Sequence, residues 1–162
     1  MRLKDGMSVS RQTVLLVEDN PDDVLLLQRA LRGAKPERLL QTVSTGEDAV
    51  LHLGGEGPYA DRRAHPLPSI LIVDLKLPGM SGFELLAWIR HRPKFRKMRV
   101  IVLTGSPRTI DIYRAFELGA NSYLVKPVTA EAFEEACQNL NAPRLLPSEP
   151  PVLAPESVRA GI

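Results

Sequence analysis

Apolar residues gather in short runs along this chain, and the segments between the runs repeat at helical spacing. Residues 13–17, 70–73, 100–103 and 122–125 are each four or five residues, rich in Val, Ile and Leu, and bounded by polar or turn residues. Runs this short and this apolar read as strands buried on both faces. Residues 38–43 form a weaker strand, with Leu40 and Thr42 on one side and Leu39, Gln41 and Val43 on the other. The intervening segments carry caps. Asn20 is an N-cap with Pro21 at the first helical position, and Val24, Leu27 and Leu31 share a face until Gly33. Ser44 or Thr45 caps a short helix that ends at Gly54-Gly55. Ser81 with Glu84 makes a capping box for a helix from Gly82 to about His91. Ser106 and Pro107 are expected to start the next helix, which runs to Leu118 and stops at Gly119. Thr129 caps the last, with Ala132, Phe133, Ala136 and Leu140 at helical spacing.

Strand and helix therefore alternate five times. The expected fold class is α/β, a doubly wound five-stranded parallel sheet flanked by five helices with right-handed crossovers. Residues 54–68, with six Gly and Pro, are expected to be a long surface loop. Residues 1–11 read as a flexible N-terminus and 12–140 as one domain. Residues 141–162 hold five prolines, which excludes a regular helix or a central strand, so they read as a tail or arm rather than an output domain.

Composition narrows the class. A formal net charge of +2 exerts no global pull on nucleic acid or membrane. The single cysteine, Cys137, excludes an internal disulfide and a multi-cysteine zinc site. No apolar run is long enough to span a bilayer, and the polar first ten residues lack a secretion signal, so a cytoplasmic protein is expected. The basic cluster Arg90, His91, Arg92, Lys94, Arg96, Lys97 and Arg99 reads as a solvated surface, or as a face that meets an acidic patch on a partner.

The chemistry sits where strands end. Glu18-Asp19, Asp74, Thr104 and Lys126 each follow a buried run, and in a doubly wound sheet those ends share one edge. Each has a plain structural reading: acids decorating a helix start, a strand-end cap, a surface lysine. Together they describe more. Three carboxylates brought together repel and call for a cation, and an oxygen donor set suits a hard ion such as Mg²⁺ (or Mn²⁺). Lys126 adds a positive charge, Thr104 a hydroxyl, and Gly105 space with a backbone N–H. That is a pocket for an anionic tetrahedral group beside Asp74.

Residues 15–20, 73–82, 102–105 and 123–127 resemble the motifs of the response regulator receiver domain family, whose fold is flavodoxin-like. Asn20-Pro21-Asp22-Asp23 and the loop before Asp74 are most similar to single-domain regulators that serve phytochrome-type photoreceptor kinases. The resemblance implies Asp74 as phosphoacceptor. It implies metal binding by Asp19, Asp74 and the backbone carbonyl of Lys76, with Glu18 acting through water. Thr104 and Lys126 would hold the phosphoryl group, Thr104 and Tyr123 would form the switch, and Pro127 would follow a cis bond. The implied function is acceptance of a phosphoryl group from a histidine kinase, with the protein a signalling phosphoprotein rather than an enzyme. A homodimer through the Pro-rich tail is one expectation, and no downstream target follows.

Three rival readings compete with this one. A flavodoxin-like cofactor binder needs a phosphate-cradling loop where this chain places Glu18-Asp19. An aspartate-based phosphohydrolase needs a second acid two residues after Asp74, where Lys76 stands. A nucleic-acid binder would use the basic cluster, without a helix-turn-helix to place it.

Overall fold

The computed structural model describes residues 12–34, 37–106 and 108–140. Within them strand and helix alternate: β1 (Gln12–Val17), α1 (Pro21–Arg32), β2 (Arg38–Val43), α2 (Gly46–Gly54), β3 (Ile70–Asp74), α3 (Gly82–Arg90), β4 (Arg99–Thr104), α4 (Thr109–Glu117), β5 (Ser122–Val125) and α5 (Ala130–Asn139). All neighbouring strands are parallel, in the order β2-β1-β3-β4-β5. The chain steps outward from β1 to β2, then crosses back to β3 on the other side of β1. Such a reversal opens a crevice at the carboxyl ends of the strands on either side of it. Here those ends are β1, leading into Glu18-Asp19, and β3, closing on Asp74.

Successive strand residues point to opposite faces, and the core divides accordingly. Leu15, Val17, Leu71, Val73, Val100 and Val102 pack with Leu53 of α2 and with Leu85, Leu86 and Ile89 of α3. Val14, Leu16, Ile70, Ile72, Ile101 and Leu103 pack with Leu27 and Leu31 of α1 and with Phe133 and Ala136 of α5. The three central strands are covered on both sides, which is why their sequences run apolar instead of alternating. β2 is an edge strand, so Leu39 and Thr42 stay exposed.

Most caps fall where the residue types place them. Asn20, Thr45, Ser81 and Thr129 each accept a backbone N–H from the first turn of their helices. Gly55 ends α2 in the left-handed region at φ 64°. Gly33 ends α1 with ordinary right-handed geometry, so its lack of a Cβ is not needed there for backbone freedom.

Two expectations are corrected and a third gains detail. α4 begins at Thr109 with Arg108 at the N-cap and no side-chain cap, whereas Ser106 was expected to cap it. The Ser106 hydroxyl accepts from Arg108 N instead (3.3 Å), and Ser106 itself is tied to Thr104; Pro107 lies outside the described residues. Segment 54–68 is a surface loop as expected, and it is held in place. It holds a short 3₁₀ turn (Gly57–Tyr59), and Arg62 bonds the carbonyls of His52, Leu53 and His65 at 2.7–3.2 Å. Arg90 does not belong to a solvated cluster. Its guanidinium reaches the carbonyls of Gly119, Arg96 and Met98 and the Asn121 side chain at 2.7–3.0 Å. It joins the end of α3 to the approach to β5. The expected N-terminal segment and Pro-rich arm lie outside the described residues.

Candidate functional site

Four loops at the carboxyl edge of the sheet build the site. β1 delivers Glu18 and Asp19, and β3 delivers Asp74 with its side chain almost wholly buried. One carboxylate oxygen from each of Glu18, Asp19 and Asp74 lies within 4.8 Å of the others. Glu18 is buried, whereas Asp19 is exposed and leaves the cluster open to solvent. Asp74 Oδ1 accepts the N–H of Lys76 (3.0 Å), which turns the chain sharply out of β3. The turn continues through Gly79 at φ 71°, where a side chain would be strained, and Met80 N bonds Glu47 Oε1 (2.8 Å). Gly82 then packs directly on Asp74; a Cβ there would collide with the Asp74 carbonyl and Leu75 Cα.

Lys126 closes the opposite flank. It follows β5, with its N–H bonded to the Thr104 carbonyl (2.8 Å), and the Lys126-Pro127 bond is cis as the resemblance implied. Its Nζ stands 2.8 Å from a carboxylate oxygen of each of Glu18, Asp23 and Asp74. Burial alone would lower the Lys126 pKa, but the neighbouring carboxylates of Asp23, Asp74 and Glu18 more than offset this and raise it. Burial pushes the Glu18 carboxyl up to about 7, despite the ammonium beside it. The Lys126–Glu18 pair is close yet lacks an aligned hydrogen bond, so Glu18 Oε2 retains coordinating capacity.

Thr104 ends β4, buried, and its Oγ1 donates to the Ser106 carbonyl (2.9 Å) and accepts the Ser106 N–H (3.1 Å). Gly105 beside it faces open space. Tyr123 is 43 % exposed and meets Phe116 edge-on, with centroids 6.2 Å apart, so it lies outside the packed core.

Glu18, Asp19, Asp74 and Lys126 thus converge, Thr104 and Gly105 flank them, and Tyr123 stands on the outer side of β5. Lys76 contributes through its backbone while its side chain is exposed. Asp23 is the residue that the sequence reading missed. It stands in the first turn of α1, where an acid already has a reason to be, and its distance of 103 residues from Lys126 hides the ion pair.

The donor set fits a hard divalent cation: three carboxylates with one side open to solvent, and a lysine whose single charge cannot neutralise all three and Asp23.

The response regulator receiver domain profile matches residues 14–138. The chain belongs to the response regulator receiver family. Response regulator Rcp1 of Synechocystis is 34 % identical over 115 residues, which cover 71 % of this chain and 76 % of that protein. The bacteriophytochrome response regulator AtBRR superposes with a TM-score of 0.73 at 34 % identity, covering 86 % of this chain and 99 % of that one. The Mn²⁺-bound form of Rcp1 superposes at 0.66 with 30 % identity, covering 85 % and 99 %. The receiver is a two-component phosphoacceptor, and the flavodoxin-like cofactor binder and the phosphohydrolase are not favoured. No helix among the described residues is long and apolar enough to cross a membrane.

Proposed function

We propose that Asp74 is the residue that takes the phosphoryl group, in this receiver's case from a phosphohistidine of a phytochrome-type histidine kinase. The convergence of the Glu18 and Asp19 carboxylates and the Lys126 ammonium on a single buried strand-end aspartate carries the reading. Asp74 Oδ2 attacks phosphorus, a P–O bond forms as the P–N bond breaks, and the departing imidazole nitrogen takes up a proton. Lys126 is already 2.8 Å from Oδ2 and pairs with the incoming phosphoryl oxygens. Asp19, Asp74 and the Lys76 carbonyl would hold Mg²⁺ (or Mn²⁺), with Glu18 reached through water. A bound ion there supplies charge neutralisation for the transferring group. The Mn²⁺-bound relative supports this assignment, and the Rcp1 and AtBRR likenesses support the kinase class.

The Thr104 hydroxyl then leaves Ser106 for a phosphoryl oxygen, and Gly105 offers that oxygen its N–H. Tyr123 turns inward into the space Thr104 vacates, which changes the face formed by α4, β5 and α5. The protein works as a cytoplasmic signalling phosphoprotein, not as a turnover enzyme: Lys76 occupies the place where a second catalytic acid would stand. Phosphoramidate tests the chemistry without a kinase. The protein should gain one phosphoryl group by intact mass with Mg²⁺ and none with excess chelator; no gain in either condition contradicts the reading.

A further inference from the structure

At the end of the sheet away from the acidic cluster, α3 runs into β4 through a segment with an unbalanced charge. Residues 90–99 hold six Lys and Arg and no acid, in a chain with 21 basic and 19 acidic residues. Arg92, Lys94, Arg96, Lys97 and Arg99 are exposed, and none pairs with a carboxylate among the described residues. A solvated surface would ordinarily intersperse both signs.

The segment is built rigidly. Phe95 is buried as a plug stacked on Trp88, with ring centroids 5.7 Å apart. Backbone bonds from Arg92 N to Ile89 O, Phe95 N to Arg92 O and Met98 N to Phe95 O form successive turns (2.9–3.2 Å). The Arg90 guanidinium draws in the carbonyls of Arg96 and Met98. These cations therefore stand on a fixed scaffold, which lowers the ordering cost of binding.

They also border a groove with apolar walls. A cavity of about 440 Å³ opens between α2 and this segment, lined by Val50, Trp88, Pro93 and Phe95 together with Glu56, Arg92 and Lys94. Arg92 lies over the Trp88 ring, 4.3 Å from its centroid.

We propose that this groove docks an acidic peptide segment of a partner protein, with one aliphatic or aromatic side chain in the cavity and flanking Asp or Glu residues on the cations. Two observations favour such a peptide over nucleic acid. Arg92 covers the Trp88 face on which a base would stack, and Glu56 lines the same cavity and repels a continuous phosphate backbone. Because the acidic cluster lies at the other edge of the sheet, an occupant here leaves it uncovered. The proposal does not depend on phosphorylation of Asp74.

The test is selection of a random short-peptide library on the unphosphorylated full chain, followed by affinity measurement with a synthetic peptide of the enriched sequence. Enrichment of Asp or Glu around one Leu, Ile, Phe or Trp supports the proposal. So does an affinity that falls about tenfold or more in the doubly charge-reversed Arg92→Glu/Lys94→Glu variant and falls with salt. Both positions are exposed, and an unchanged urea midpoint shows that the variant folds. The control Arg29→Glu/Arg32→Glu, exposed on α1 against the opposite face, makes the same change in net charge and should leave affinity within about twofold. Failure to enrich acidic peptides, equal loss in the control, or single-stranded DNA binding as tightly as the selected peptide would overturn it.

Discussion

Lys126 Nζ and Asp74 Oδ2 stand 2.8 Å apart across the carboxyl edge of the sheet, and the same ammonium holds Glu18 and Asp23. The lysine is the permanent counter-charge of a carboxylate cluster that would otherwise repel itself. Lys126→Met should therefore cost about 1–3 kcal/mol of stability in the absence of divalent ions. Part of that loss should return when Mg²⁺ is added, because the ion replaces the missing charge. Urea unfolding with Mg²⁺ and with chelator measures both, and an equal loss in the two conditions would count against a shared electrostatic role.

Gly82 supports Asp74 from below. Its Cα packs so closely on the Asp74 carbonyl that a methyl group cannot enter without moving the end of β3. Gly82→Ala should destabilise the domain by about 3 kcal/mol. It should also slow phosphorylation of the folded fraction, since the aspartate moves with its backbone. A variant with wild-type stability and rate would show that the turn has slack that the packing does not suggest.

Arg90 is a structural clamp. Its planar fork bonds Gly119 O twice and reaches Asn121, whose Oδ1 also accepts Val100 N (2.8 Å). A lysine there keeps the charge but cannot span these acceptors. Arg90→Lys should cost about 2–4 kcal/mol by chemical denaturation, with faster amide exchange at Asn121 and Val100. Preserved protection at those amides would refute the clamp.

His52 sets a pH dependence. It is buried, and Nε2 faces Gln41 Oε1 at 3.1 Å while the Gln41 amide donates to Ala64 O. That pairing makes Nε2 the protonated nitrogen and leaves Nδ1 buried without a partner. Burial, with the charges of His65 and Arg62, lowers its pKa below the usual 6.5. The unfolded chain therefore binds a proton at a higher pH than the folded one. The His52 contribution to stability should be full above about pH 6.5 and fall as pH drops below it, while Glu18, whose carboxyl holds its proton more tightly in the folded chain, contributes with the opposite sign over the same range. The fall should be smaller in His52→Gln, read from urea midpoints between about pH 7.5 and 5; an identical slope in the variant would exclude His52 as the cause.

The sequence carries most of the fold because the three central strands are buried on both faces, and only unbroken apolar runs satisfy that. The candidate site was equally legible where chemistry and position coincide: Asp74 and Thr104 end their strands, and Glu18, Asp19 and Lys126 follow directly on theirs. Strand order and the crevice it opens were not legible, since no local pattern says that β3 lies against β1. Asp23 was hidden behind a sufficient local reason for an acid. Arg90 was hidden among neighbours of the same charge, its partners lying up to 31 residues away. The start of α4 was misplaced because Ser106 and Thr104 bond one another, which removes Ser106 from the capping role its residue type suggests.

Signalling by this receiver turns on Asp74 as the acceptor. Wild type and Asp74→Asn should be treated side by side with acetyl phosphate and Mg²⁺, and then examined by intact mass and by hydroxylamine sensitivity. The wild type should gain one hydroxylamine-labile phosphoryl group and the variant none, with both proteins folded. An equal gain on both, or a hydroxylamine-stable group on the wild type, would contradict it.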